Sequence, residues 1–355
     1  MAADDPTIAI ASGRPLSIRS AGADPNRIDS GEACSATGDS NCLYSEASDS
    51  ATSASLRTPR RKAHSRRIDL RSKLSIVVLT HNRVEHVVRT VQRLTRLPEI
   101  CDVIVVDNGS SDGTCEALHV RFPHVILVRL SSNRGASGRN AGVERAHTPY
   151  VAFCDDDTWW APGALSRAVE LLDAHATIGL LCAKVLVEPG AREDPTCLRM
   201  ANSPLQRQGL PGPSLLGFLA GGCVVRRCAF LAVGGYEPAF FLGGEEDLLA
   251  LDLAASGWSL VYASQLLAYH QPAARTDSAR RRSLIARNAV WTAWLRRPLP
   301  IALRITVRAL RDAAARRQLL QRAIEIGAGA PWLLRNRRPL PAHVESMRRM
   351  LDQCG

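Results

Sequence analysis

From Leu74 onward the apolar residues follow two alternating periods. LSIVVLT (74–80), DVIVVD (102–107), VILVRL (125–130) and YVAFCD (150–155) are short, nearly continuous apolar runs rich in β-branched residues. Such runs mark strands buried on both faces. Between the first two, residues 84–96 place Val84, Val87, Val88, Val91 and Leu94 at helical spacing. Residues 111–122 and 135–146 are expected to form the next two helices. Strand and helix in alternation predict an α/β domain with a mostly parallel central sheet and right-handed crossovers. Ligands on such sheets bind at the carboxyl ends of the strands. The polar clusters Thr80–Arg83, Asp107–Thr114 and Asp155–Asp157 fall there.

The flanks read differently. Residues 1–56 are rich in Ala, Ser, Asp and Gly with little apolar periodicity, and are expected to be disordered. Arg57 to Lys73 is a basic linker, so 1–72 form one segment, 73–275 the α/β domain and 276–355 a helical extension. In that extension Arg304, Arg308 and Arg311 recur at i, i+4, i+7 on a polar face, with Ile301, Ile305 and Leu310 apolar. Pro298, Pro300, Pro331, Pro339 and Pro341 predict a break into two or three helices.

Charge sharpens this division. Of the net +11, residues 1–73 carry +2, residues 74–274 carry −4 and residues 275–355 carry +13, the last from 18 Arg against 5 acids. A basic extension on an acidic body suits a phosphate-bearing substrate or an anionic membrane surface. Aromatics make up 5% of the chain and no nucleic-acid motif is visible, so no nucleic-acid partner is expected. No apolar run approaches the ~18 residues of a spanning helix. The N-terminus is acidic, without the apolar core of a secretory signal, and none is expected. The ten cysteines show no zinc spacing and read as reduced thiols of a cytoplasmic protein.

Four segments carry candidate chemistry. Asp155, Asp156 and Asp157 follow a strand without a gap, and such carboxylates repel one another unless a cation or donors compensate. Asp155 and Asp157, at i and i+2, can converge on Mg2+ or Mn2+; a polar turn capping the next helix is the plainer alternative. Asp107 ends its strand in Asp-Asn-Gly. It can serve turn chemistry, or accept hydrogen bonds from a base or ribose. NRGASGRNAG (133–142) combines glycines with Arg134 and Arg139, which suits a diphosphate or an ordinary turn. Glu245, Glu246 and Asp247 open an apolar helix, either complementing its dipole or supplying a general base.

In this order the segments LSIVVLTHNR (74–83), VIVVDNGSSDGT (103–114), NRGASGRNAG (133–142), YVAFCDDDTWWAPGAL (150–165), LAGGCVVRRCAFLAVGGYE (219–237) and GGEED (243–247) with SGW (256–258) resemble the family 2 glycosyltransferases of GT-A fold. The resemblance spans about residues 73–272. It implies metal-assisted, inverting transfer of a sugar from a nucleotide diphosphate to an acceptor hydroxyl, in cell-envelope or other glycoconjugate synthesis. By similarity Thr80, Asn82, Arg83 and Asp107 line the nucleoside pocket. Ser110, Asp112, Asn133, Gly135, Arg139, Asp155 and Asp156 complete the donor side. Asp155 and Asp157 match the outer positions of the DxD motif, Asp157 being the expected direct ligand of Mn2+ or Mg2+ and His270 a further one. Gly221, Gly222, Trp159 and Trp160 would flank the acceptor, with one tryptophan given to core packing.

The base is a matter of register. Counting back from Gly257–Trp258 puts Glu246 where the family's catalytic Asp stands, with Glu245 before it and Asp247 the alternative through a shifted helix. The acceptor is expected to be a glycan or lipid-linked, and the location cytoplasmic, with peripheral contact at the inner face of the plasma membrane. Two other readings stay open: a sugar-phosphate nucleotidyltransferase, and a non-catalytic binder of nucleotide sugar or anionic polymer.

Overall fold

The computed structural model describes residues 67–206, 209–272 and 279–354. The expected disorder of 1–56 and most of the basic linker lie outside them. In chain order, β1 (Ile68–Asp69) precedes β2 (Leu74–Thr80), α1 (Val84–Leu94), β3 (Glu99–Ile100), β4 (Asp102–Asp107), α2 (Thr114–Arg121), β5 (Ile126–Arg129), α3 (Gly138–Arg145) and β6 (Tyr150–Asp155). Then come β7 (Thr158–Trp160), α4 (Ala164–Ala174), β8 (Ile178–Val187), β9 (Arg192–Glu193), α5 (Pro195–Ala201), β10 (Cys223–Arg226), α6 (Arg227–Ala232), α7 (Glu245–Ala255) and β11 (Ser259–His270). Five helices close the chain: α8 (Ala279–Arg296), α9 (Leu299–Ala315), α10 (Leu319–Gly327), α11 (Ala330–Asn336) and α12 (Ala342–Cys354).

The main sheet runs β5-β4-β2-β6-β10-β8-β11-β7, with β9 on β8. β5, β4, β2 and β6 are parallel neighbours, as the apolar runs predict. Beyond β6 the sheet is mixed: β10 is antiparallel to β6 and β8, β11 parallel to β8, and β7 antiparallel to β11. Register places Thr80 opposite Asp107 and Leu79 opposite Asp155, so three strands end at one edge. His270 is paired with Thr158, which brings the end of β11 beside the aspartate triplet.

Helix α3 crosses close above β2 and β4 because Gly138 and Gly142 lack side chains. A Cβ at Gly138 would sit 2.8 Å from Leu79, and one at Gly142 would overlap Val77. The expected helix over 111–122 begins at Thr114. The Asp112 carboxylate accepts from Thr114 N (3.2 Å) and Val84 N (3.0 Å), and Gly113 turns at φ 82°. Residues 110–113 are therefore a turn tied to the start of α1. Among its described residues the C-terminal region forms five helices, not two or three. Proline accounts for the α8–α9 break, but Arg317 at φ 58° separates α9 from α10, and Gly327 and Gly329 lie where α10 gives way to α11.

Candidate active site

Asp155 ends β6, and Asp156 and Asp157 turn toward β7. Their mutual repulsion is met by donors. Arg83 pairs with Asp156 (2.6 Å) and Asp157 (2.9 Å), while Thr80 Oγ1 donates to Asp156 (3.1 Å). Arg139 pairs with Asp155. Burial and like charge hold the Asp156 and Asp157 carboxyls above the usual range, with Arg83 pulling them back. His270 Nε2 stands 3.6 Å from Asp157 Oδ1, and Gln271 N donates to Asp157 O (2.9 Å).

The loops before α1 and α2 are locked together. Asn82, at φ 52°, accepts at Oδ1 from Ser111 N (2.8 Å), and its own N donates to Ser110 Oγ (2.9 Å). Asp107 is fully buried: Oδ1 accepts from Ser110 N (2.9 Å) and Oδ2 from the Cys115 thiol (3.0 Å). Asn133 Oδ1 accepts from Gly135 N (2.8 Å) and Asn108 Nδ2 (3.0 Å). Asn82, Asp107, Ser110, Asp112 and Asn133 thus brace the loops at the carboxyl edge of the sheet through these turns.

Glu245 and Glu246 begin α7 and are both buried. Neither Glu245 carboxylate oxygen has a hydrogen-bond partner among the described residues, nor does Glu246 Oε1. Burial pushes the Glu245 carboxyl up to about 7, its backbone contacts and the Arg139 charge pulling the other way. Burial and the Glu245 charge push Glu246 well above the carboxylate range. Asp247 is raised to about 6 by burial, but its charged neighbours are Arg348 and Asp352 on α12. Arg139 therefore brings Asp155, Glu245 and Glu246 into one electrostatic cluster, and Asp247 lies on the other side of the helix.

Glycines let these parts approach. A Cβ on Gly221 would fall 2.7 Å from Asp155 Oδ2, and one on Gly222 would sit 2.9 Å from Val185. At Gly135, φ 60°, a Cβ would overlap the Phe241 carbonyl, which accepts a hydrogen bond from Ala136 N (2.8 Å). The two tryptophans part company. Trp160 is in the core, whereas Trp159 stacks on Tyr269 (5.6 Å) beneath the Arg93 guanidinium (3.6 Å).

Three residues given no role from the sequence alone join the site. Tyr236 is fully buried under Arg139, 5.7 Å from its guanidinium carbon. Asn288 of α8 donates from Nδ2 to the carbonyls of Phe240 (3.0 Å), Leu242 (3.2 Å) and Gly243 (2.6 Å). Arg281 of α8 is buried and lends positive charge to Glu245. The residues Asn288 holds include Gly243 at φ 88° and flank Phe241 at φ 61°, so α8 fixes the strained approach to α7. Its signal in the sequence is a lone Asn in an Arg-rich amphipathic stretch, which points to no chemistry.

The family model described as glycosyl transferase family 2 matches residues 75–234, spanning the β2–α6 part of this architecture. The N-acetylglucosaminyl-diphospho-decaprenol L-rhamnosyltransferase of Mycobacterium tuberculosis is 27% identical over 237 residues, covering 57% of this chain and 77% of that protein. The UDP-Glc:alpha-D-GlcNAc-diphosphoundecaprenol beta-1,3-glucosyltransferase WfaP of Escherichia coli is 24% identical over 105 residues, 29% of this chain and 42% of that protein. Among solved structures, S. aureus TarS superposes with a TM-score of 0.50 at 17% identity, over 79% of this chain and 52% of TarS, a likeness of fold alone. With the mixed sheet and its aligned strand ends, these findings identify residues 75–234 as glycosyl transferase family 2 sequence within a domain of GT-A fold, and support an enzyme of the transferase class.

Proposed function

We propose that the protein transfers a sugar from a nucleotide-diphosphate donor to a hydroxyl of a lipid-linked glycan acceptor, with inversion at the sugar. The carrying observation is the Arg139–Asp155 ion pair at the carboxyl edge of the sheet, within electrostatic reach of the buried Glu245 and Glu246. Thr80, Asn82, Arg83 and Asp107 line the nucleoside side, and Asp112 keeps their loop in place. Glu246 accepts the proton of the acceptor hydroxyl as that oxygen attacks the anomeric carbon. Its raised proton affinity suits a base in a water-poor site. Glu245 and Arg139 set the charge around it, and Gly221 lets the β10 approach lie against Asp155.

A divalent ion fits this site in one form only. Among the described residues no group of three or more His, Cys, Asp and Glu side chains could hold an ion. The neighbouring Asp157 and His270 offer two ligands, and Mg2+ or Mn2+ commonly takes one or two side chains plus substrate phosphates. Asp157 and His270 would hold it. Bound there, the ion would neutralise charge on the departing diphosphate.

The lipid-linked acceptor is supported by the activities for which the mycobacterial and E. coli relatives are named, both on diphospho-polyprenol acceptors. Peripheral contact with an anionic membrane belongs to the same reading. The deciding experiment incubates the protein with a panel of UDP-, GDP- and dTDP-sugars, Mn2+ and a polyprenyl-diphospho-GlcNAc acceptor. Release of nucleoside diphosphate with extension of the acceptor is expected. Release of pyrophosphate instead would assign nucleotidyl transfer, and no release from any donor would remove the catalytic reading.

A further inference from the structure

Of the large apolar side chains that stand exposed among the described residues, most belong to the C-terminal helices. On α9, Leu299, Leu303 and Val307 are 51%, 52% and 45% exposed and follow one another at i, i+4, i+8. They form a single stripe, about 40° of helix turn apart. On α10, Leu319, Leu320 and Ile324 are 47%, 75% and 62% exposed. Ordinary packing does not explain these rows. α9 turns Ala302 and Ala313 inward, and α10 turns Arg322 inward to the Ser283 carbonyl and Glu325.

The charge beside the stripes is one-sided. Arg304, Arg308 and Arg311 are exposed on α9, centred roughly 110° from the leucine stripe at 100° per residue. Arg316 and Arg317 are exposed in the turn to α10. Residues 299–338 hold nine arginines and two acids. One acid, Glu325, is engaged by Ser283 and Arg322, which leaves Asp312. No described helix is long and apolar enough to cross a membrane. An apolar row edged by guanidinium groups is the pattern of a helix lying in a headgroup layer, where arginine reaches phosphate while leucine enters the acyl boundary.

We infer that the α9–α10 hairpin is a docking face for an anionic lipid bilayer, entered by Leu303, Val307, Leu320 and Ile324 and gripped by Arg304, Arg308 and Arg311. Charge complementarity selects this occupant: a second copy of the chain would set arginine against arginine. The inference deepens the membrane-contact part of the proposed function by naming its surface. It stands apart from sugar transfer, because its test needs no donor or acceptor.

The test is co-sedimentation of the full chain with vesicles of phosphatidylcholine alone and of phosphatidylcholine with phosphatidylglycerol. Binding to the anionic vesicles is expected, falling as salt rises. Replacing Arg304, Arg308 and Arg311 together by Gln should weaken it about a hundredfold. Leu320→Ser with Ile324→Ser should weaken it about tenfold or more. Thermal midpoints of both variants should match the parent, since every altered side chain is exposed. Equal binding to the two vesicle types, binding unmoved by either variant, or no binding would overturn the inference. A dimer in solution that Leu320→Ser with Ile324→Ser dissociates, without vesicle binding, would give the face to self-association instead.

Discussion

Arg139 of α3 and Asp155 at the end of β6 form an ion pair largely shielded from water, their side chains 5% and 15% exposed. The same guanidinium is within electrostatic reach of Glu245 and Glu246, so one cation acts on both the donor edge and the proposed base. Removing it would leave Asp155 and the two buried glutamates without their shared counter-charge. Arg139→Ala should destabilise the fold by about 3 kcal/mol or more and lower turnover at least about a hundredfold. Arg139→Lys keeps the charge but not the planar fork, and should recover stability better than turnover. Urea unfolding and nucleoside-diphosphate release read the two effects separately. Full activity in Arg139→Ala would break the link between the clusters.

Stability should respond to pH through Glu245. Its carboxyl is raised from 4.5 to about 7 on folding. Between those values the folded chain keeps a proton that the unfolded chain has released. The folded state thus binds more protons there, and stability falls as pH rises through this window. Glu245→Gln carries no such proton and should flatten the slope. Thermal midpoints of both proteins from pH 4.5 to 7.5 check this; parallel curves would remove Glu245 as the source.

Turnover should fall on the acid side for a related reason. Glu246 works as a base only when ionised, and burial beside Glu245 raises its proton affinity. Turnover at saturating donor should go on rising with pH beyond the ordinary carboxylate value, rather than reach its plateau there. Glu246→Gln should cost about a hundredfold to ten-thousandfold in turnover with little change in donor affinity. A pH profile flat from 5 to 8 would argue against Glu246 as the proton acceptor.

The parallel half of the sheet was legible because β2, β4 and β6 are buried on both faces and therefore apolar without interruption. Their shared edge followed from the polar residue ending each run. The mixed half was less legible: β10 is four residues long and β11 interrupts its pairing between Ala263 and Leu267. The triplet at 155–157 signalled a need for compensation without saying by what. The structure supplies Arg83, Thr80 and Arg139, from segments 16 to 76 residues away in sequence. Three successive acids at a helix start differ only by rotation about its axis. Which of them meets Arg139 depends on the loop before α7, and that loop is set by α8, a helix far along the chain with no motif of its own.

That dependence is open to test. Asn288 is fully buried and spends its side-chain amide on three carbonyls of the loop leading into α7. Ile285 seals the same loop, standing 2.5 Å from where a Cβ on Gly243 would be. Asn288→Ala leaves these carbonyls without the donor and should cost about 1–3 kcal/mol of stability. If the clamp aims Glu245 and Glu246, turnover should drop about tenfold or more at a temperature where the variant remains folded. Donor affinity should change little, because Thr80, Arg83 and Asp107 lie on other elements. Calorimetry of UDP or GDP binding with Mn2+, set beside turnover, separates the outcomes. A loss of nucleotide affinity equal to the loss of turnover would make Asn288 a general support of the fold, and unchanged turnover would free the base from control by the C-terminal helices.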